Sequence, residues 1–180
     1  MAVMSGLAIN YFLAGKWYLA DVGNIHYCLV NTWYGRFMWS PLAVVNHFGL
    51  HYTPFFFLLM PLVWLSPYPV PLVLSYQAAL ALTPVPIYLL SRRCGLPPAI
   101  GVALGFWFVC NHFLGSLQMA NHFENFYVLF ALATMAAMYS ERRHVWWIFA
   151  VLALSVKEDA AIWLLGFALW AWWLGQKSLL

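Results

Sequence analysis

Long apolar runs, separated by short polar segments, are the feature that most restricts how this chain can fold. The runs at residues 2–20, 69–91 and 97–117 approach the roughly 20 residues that a helix needs to cross a bilayer. Of the 180 residues, 65% are hydrophobic and only 7% are charged, so a soluble domain could not cover this much apolar surface. The chain is therefore predicted to be an all-α, polytopic transmembrane helical bundle.

The remaining apolar runs are shorter, and they lie at residues 125–139, 145–156 and 160–175. The segment PFFFLLMPLVWLSP has prolines inside it and at both ends, which predicts a kinked or partly inserted helix. No low-complexity linker or soluble domain is found. We expect a single membrane domain over residues 1–180 with about six spans.

Residues 21–53 form the most polar part of the chain and the first predicted outer loop. Their spacing at the start of this loop predicts an amphipathic helix in the membrane interface, although an ordinary amphipathic connector would show the same pattern. One face of this helix carries Asp21, Asn24, Cys28 and Asn31, and the neighbouring face carries Val22, Ile25, Leu29 and Trp33.

Short basic clusters predict the orientation of the bundle. If Arg92–Arg93 are cytoplasmic, the alternation of spans places Arg142–Arg143 and Lys177 on the same side. Most other ionisable residues then share the outer face. This outer set is Asp21, His47, His51, His122, Glu124, Lys157, Glu158 and Asp159.

The stretch SVKEDAAIW places Lys157, Glu158 and Asp159 between apolar runs that are each shorter than a full span. This predicts a hairpin or broken helix in which the charged groups are paired or line a polar cavity. Lys157 would suit an anionic headgroup, and the carboxylates would suit a metal or a proton. A tight turn at the water interface remains an alternative.

Two histidine motifs lie on the same predicted face. In HFEN, His122 and Glu124 could converge on a metal or a phosphate, but two ligands do not define a metal site, and a solvated loop is the alternative. In HFGLH, His47 and His51 stand at i and i+4. No HExxH motif accompanies them, which disfavours a metal centre made of histidines alone.

Several functional classes find no support in the sequence. The net charge of +3 is small and scattered, so nucleic acid is not an expected partner. Cys28, Cys94 and Cys110 form no CxxC pair, which argues against a disulfide framework or a zinc knuckle. No nucleophile elbow, P-loop or dinucleotide fingerprint indicates a serine hydrolase, a nucleotide-driven pump or a soluble dehydrogenase.

Five motifs occur in order along the chain: a D-x-G near the start, H-[FY]-[ST]-P before an apolar hairpin, a basic pair, H-x-E and K-E-D. In this sequence they stand within ADVGNIHYCLVNTWYGRF, HYTPFFFLLMPLVWLSP, PIYLLSRRCG, HFEN and SVKEDAA. Together they resemble a prokaryotic family of predicted membrane proteins, domain of unknown function 2079, over essentially the whole chain.

That family in turn resembles the GT-C superfamily of glycosyltransferases, which take sugar from a polyprenyl-phosphate carrier at the outer face of the membrane. The resemblance implies an acidic residue in the first outer loop as catalytic base or metal ligand, and this position is Asp21. We therefore expect an inverting membrane glycosyltransferase in the prokaryotic cytoplasmic membrane. Lys157, Arg36 and His51 would bind the carrier phosphate, and His122, Glu124 and Asp159 would hold a divalent cation (Mg or Mn) or position the acceptor.

Two other functions fit the same residues. An ion-coupled permease would use Lys157, Glu158 and Asp159 as an intramembrane relay. A non-catalytic membrane subunit is the third interpretation. Enzymes of the GT-C type usually have ten or more spans, so we expect the chain to be an N-terminal portion that works with a C-terminal remainder or a partner subunit.

Overall fold

The computed structural model describes residues 19–111, 122–138 and 143–173, and helices account for most of them. The α-helices are α1 (Leu19–Trp33), α2 (Phe56–Leu59), α3 (Val70–Leu82), α4 (Pro84–Arg93), α5 (Pro98–Cys110), α6 (Asn125–Met138), α7 (Arg143–Val156) and α8 (Ala160–Trp173). The other elements are the 3-10 helices His47–Gly49 and Met60–Trp64 and an antiparallel hairpin of β1 (Trp39–Ser40) and β2 (Val45–Asn46). The helical prediction is confirmed, with this small hairpin as an addition.

The lengths of the helices support the predicted bundle of spans only in part. Among the described residues, one helical stretch, Val70–Arg93, is long and apolar enough to cross a membrane. Four shorter apolar helices cover Pro98–Cys110, Asn125–Met138, His144–Val156 and Ala160–Trp170. A helix of 14 residues is about 20 Å long, which is less than the roughly 30 Å of a bilayer core. Six spans are therefore not shown, and the first predicted span, residues 2–20, lies almost wholly outside the described residues.

Helix α1 begins the described chain and matches the predicted amphipathic helix. Its apolar face is buried in the core, where Val22 and Leu29 are fully covered. The β-hairpin covers part of its polar face. Asn24 accepts a 2.7 Å hydrogen bond from the hydroxyl of Ser40 in β1. Asn31 donates to the carbonyl of Trp39 over 3.0 Å. The polar face thus binds the β-hairpin, with contacts from Asn24 near the start of the helix to Asn31 near its end.

The predicted kink in PFFFLLMPLVWLSP is confirmed, because α2 passes directly into the 3-10 helix Met60–Trp64 near Pro61. Aromatic side chains hold this short helix against α6. The ring of Phe55 lies 4.6 Å from that of Phe126, and the ring of Phe56 lies 5.0 Å from that of Phe123. The backbone N–H of Phe55 also donates to the carbonyl of Ser155 at the end of α7. The segment after His51 is therefore fixed to both long helices.

Thr83 interrupts the 24-residue stretch between α3 and α4. Pro84 has no backbone N–H, so the helical hydrogen bonding cannot continue unchanged through this point. The Thr83 hydroxyl donates to the carbonyl of Leu80 over 2.6 Å and satisfies an acceptor near the break. Helix α4 then packs against α5 and α6, while α6 makes its most extensive contacts with α7.

The close packing of α4 on α5 depends on Gly101, which leads to a stability prediction. A Cβ at this position would overlap the Ser91 hydroxyl and lie 3.0 Å from the ring of Tyr88. We expect Gly101→Ala to lower the free energy of unfolding by about 1–3 kcal/mol, as overpacked interiors do.

Gly166→Ala in α8 is the matched control, because nothing lies within 4 Å of a Cβ there. It should be neutral or stabilise the helix by about 0.5–1 kcal/mol. Denaturant unfolding in micelles measures both variants, and equal losses would contradict the packing role of Gly101.

Candidate functional site

A cavity of about 330 Å³ lies at the end of the bundle where α1 and α6 begin and α7 ends. It contains five of the seven residues that the sequence predicts for the site, and Asn24, His47 and Thr53 line it as well. The five are Asp21, His51, His122, Glu124 and Lys157. The predicted convergence of the first outer loop, the HFEN motif and the KED turn is therefore present in the structure.

Asp21 stands in the first turn of α1 at the edge of this cavity. Its side chain is 53% exposed, and its Oδ2 lies 4.0 Å from Nε2 of His122. This distance is long for a direct hydrogen bond, so the carboxylate remains available to a ligand. An exposed carboxylate beside an imidazole can accept a proton from a hydroxyl group bound in the cavity.

A chain of charged groups continues from His122 across the cavity. Nδ1 of His122 lies 3.7 Å from Oε2 of Glu124, and Oε1 of Glu124 accepts a 2.5 Å hydrogen bond from Nζ of Lys157. Oδ2 of Asp159 lies 3.5 Å from the same ammonium. The hydrogen bond to Glu124 raises the pKa of Lys157 above its ordinary value, and Asp159 adds to this shift. Lys157 is therefore a cation held between two carboxylates.

The turn that carries Lys157 joins α7 to α8, as the sequence predicts. Apolar helices end and begin on either side of it, at Val156 and Ala160, and both of these residues are fully buried. Glu158 points to the other side of the turn, where its Oε1 lies 3.2 Å from Nδ1 of His51. Hydrogen bonds from its own backbone N–H and from His51 lower the pKa of Glu158.

His47 lines the cavity as well, although the sequence does not single it out as a site residue. It is 5% exposed, and its Nε2 lies 3.1 Å from the hydroxyl of Thr53. Its ring lies 6.0 Å from that of His51, as the HFGLH spacing suggests. The two rings nevertheless have different partners, because His51 binds Glu158 instead. The HFGLH spacing predicts that the rings of His47 and His51 lie close together, whereas the partner of each ring depends on the tertiary fold.

The burial of His47 predicts how stability depends on pH. Desolvation lowers the pKa of His47 below its ordinary value of 6.5, the neighbouring His51 adds to this effect, and Glu158 opposes it. The folded protein keeps the ring neutral, while the unfolded chain takes up a proton below that value. The free energy of unfolding should therefore fall as the pH decreases from above 6.5 to below it.

Unfolding measured at about pH 7.5 and about pH 5.5 tests this expectation. His47→Gln, which can still bind Thr53, should reduce the difference between the two values. His144→Gln changes an exposed histidine at the start of α7 and should leave the difference as it is. If the free energy of unfolding of His47→Gln depends on pH as that of the wild type does, groups other than His47 cause this dependence.

Two predicted site residues stand outside the lining of the cavity. Asp159 reaches the site through its contact with Lys157. Arg36 does not reach it: its side chain is exposed in the turn after α1, where its backbone N–H donates to the carbonyl of Asn31 over 2.8 Å. This hydrogen bond places Arg36 beyond the C-terminal end of α1, whereas the cavity lies at its N-terminal end. The geometry therefore gives no support for a joint phosphate site of Arg36 and Lys157.

The ligand set for a divalent cation has little support in the arrangement of these side chains. Within residues 19–111, 122–138 and 143–173, no group of three or more His, Cys, Asp or Glu side chains is placed to hold a metal. The contacts of Lys157 explain this, because its ammonium lies between the carboxylates of Glu124 and Asp159. A cation at His122, Glu124 and Asp159 stays a prediction, and we derive no chemical step from it.

The charges of the described residues are separated along the bundle. Four carboxylates, those of Asp21, Glu124, Glu158 and Asp159, lie at the end with the cavity, where Lys157 is paired with two of them. Arg92 and Arg93 end α4 at the opposite end, where Arg93 lines a groove together with Val145 near the start of α7. Which of these ends faces the cytoplasm stays a prediction from the basic clusters.

Fold and site together define a mostly helical protein with one candidate membrane helix among its described residues and an ionisable cavity at one end of its bundle. The chain belongs to the family of predicted membrane proteins designated DUF2079, whose sequence pattern matches residues 21–178. No curated protein and no solved structure matches the chain.

Proposed function

We propose that this protein is a GT-C-type membrane glycosyltransferase that transfers a sugar from a polyprenyl-phosphate carrier. Its bundle would cross the prokaryotic cytoplasmic membrane several times, with the cavity on the outer face. The observation that carries the proposal is the half-exposed carboxylate of Asp21 in the same cavity as the ammonium of Lys157. A base for the acceptor and a cation for the leaving phosphate are the two groups that such a transfer requires.

Asp21 would act as the general base. A hydroxyl oxygen of the acceptor attacks the anomeric carbon of the donor sugar, and its proton passes to the Asp21 carboxylate. The bond between that carbon and the phosphate oxygen breaks, and the carrier phosphate leaves with the electron pair. His122, whose Nε2 lies 4.0 Å from the carboxylate, would help to position Asp21 before the attack.

Lys157 would stabilise the negative charge that grows on the leaving phosphate. An ammonium has three N–H donors, and Glu124 and Asp159 account for two of them among the described residues. The third can donate to a phosphate oxygen in the cavity, which Lys157 lines. The two carboxylates fix the position of the ammonium in advance, so this stabilisation would require little reorganisation during the reaction.

Glu124 and Asp159 also weaken the attraction of the cavity for a bare phosphate, because they neutralise Lys157. A protonated imidazole would compensate for this effect. His51 lines the cavity with a half-exposed side chain, and its Nδ1 lies 3.2 Å from Oε1 of Glu158. In this proposal His51 donates to the carrier phosphate, while Glu158 orients the ring.

The experiment is a transfer assay with the protein in its native length, reconstituted in nanodiscs. Polyprenyl-phosphate donors with different radiolabelled sugars are added together with lipid, glycan and peptide acceptors. We expect label to move to an acceptor while free polyprenyl phosphate is released in equal amount. If no donor is consumed, while vesicles containing the protein accumulate a solute in response to an ion gradient, the protein is a transporter instead.

A further inference from the structure

A second concave region lies at the opposite end of the bundle, between α4, α6 and α7. It is a groove of about 670 Å³, within the range of about 300–1,000 Å³ that small-molecule sites occupy. Its lining is apolar apart from Arg93, which is the one charged residue that the described part of the chain contributes to it. Ala133, Ala136 and Ala137 provide the space, because their side chains are short where α6 faces α4.

The length of the groove matches one leaflet of a membrane. Its lining follows α4 from Leu82, just before the helix, to Arg93 at its end. At about 1.5 Å of rise per residue, these two positions are roughly 16 Å apart along the axis. The hydrocarbon core of a bilayer is about 30 Å thick, so the groove spans about half of it. A chain lying in the groove would therefore have its polar head beside Arg93.

We propose that this groove binds an anionic phospholipid, with one acyl chain along α4 and the phosphate beside Arg93. The guanidinium is always ionised and matches the geometry of a phosphate with two parallel N–H donors. Basic residues at the membrane end of an apolar crevice between helices are suited to anionic headgroups. A zwitterionic lipid would fill the groove equally well but would gain less from Arg93.

This lipid site is separate from the proposed catalytic cavity. The carboxylates of Asp21 and Glu124 are gathered at the other end of the bundle. The groove end carries Arg92 and Arg93 instead. The proposal therefore does not depend on sugar transfer, and the two can fail independently.

Native mass spectrometry tests the proposal on purified protein with an equimolar mixture of phosphatidylglycerol and phosphatidylethanolamine. We expect the wild-type protein to retain phosphatidylglycerol preferentially. Arg93→Gln should reduce that preference about five-fold, as the loss of one basic residue near a headgroup does. Arg92→Gln is the matched control: it removes the same charge one residue earlier, and its exposed side chain donates to the carbonyl of Leu96 outside the groove.

Ala133→Leu tests the groove without changing charge, because the larger side chain fills the space for the acyl chain. We expect it to reduce the retention of both lipids, with the helical circular dichroism of the wild type preserved. The proposal is overturned if the wild-type protein shows no preference between the lipids, or if Arg92→Gln and Arg93→Gln reduce it equally. It is also overturned if polyprenyl phosphate displaces phosphatidylglycerol from this groove.

Discussion

Replacement of Asp21 by asparagine is expected to lower kcat for sugar transfer by about 10²–10⁴-fold, the usual contribution of a general base. Asparagine has the same shape, but its amide cannot take the proton of the acceptor hydroxyl. Folding should be nearly unaffected, because Asp21 is half-exposed and its 4.0 Å pair with His122 is worth no more than about 1 kcal/mol. Transfer of radiolabelled sugar by reconstituted protein measures the loss.

Glu158→Gln is the matched control for this experiment. It also replaces a carboxylate by an amide at the same end of the bundle, but Glu158 does not line the cavity. We expect this variant to retain turnover within about ten-fold of the wild type, since it acts only through its hydrogen bond to His51. An Asp21→Asn protein with wild-type turnover would refute the assignment of the base. A severe loss in Glu158→Gln alone would favour the relay of a permease.

Phe56→Ala is expected to cause the largest loss of stability, about 3–5 kcal/mol, as for other buried phenylalanines. The ring is fully buried, and its centroid lies 5.0 Å from that of Phe123 and 5.1 Å from that of His47. Both neighbours line the candidate cavity. The mutation should therefore also displace the wall of the cavity and lower the rate of transfer.

Phe57→Ala provides the comparison at the adjacent position, where the ring is 44% exposed. We expect a loss of about 1 kcal/mol or less, because less apolar area is removed from the interior. Denaturant unfolding in micelles, followed by circular dichroism, gives both values. If the two substitutions lower the free energy of unfolding equally, the aromatic contacts of Phe56 do not stabilise this end of the bundle.

The features that could be predicted from the sequence are those with a local cause. Pro61 inside an apolar run is enough to predict the kink after α2. The charged run Lys157–Asp159 between two apolar segments is enough to predict the turn between α7 and α8. Predicting that Asp21 and His122 lie at the same end of the bundle also requires the assumption that successive apolar runs cross the membrane in alternating directions.

The remaining features depend on contacts between residues that are distant in the sequence. The hydrogen bond from Lys157 to Glu124 joins positions 33 residues apart, and that from Ser40 to Asn24 joins positions 16 apart. No periodic pattern in the sequence predicts either of these two pairs. The prediction of Arg36 as a phosphate ligand takes no account of the turn that ends α1, and this turn decides where Arg36 lies. The helix predicted over residues 97–117 ends at Cys110, because Asn111 has an extended backbone conformation although the apolar sequence continues.

The separation of carboxylates from arginines along the bundle gives the protein a permanent electric dipole. An energised bacterial membrane is negative inside, so its potential favours the orientation with the arginine end inward and the acidic end outward. Each elementary charge that crosses the full potential contributes about 2.3 kcal/mol per 100 mV. Insertion of the protein in this orientation should therefore depend on whether the cell is energised.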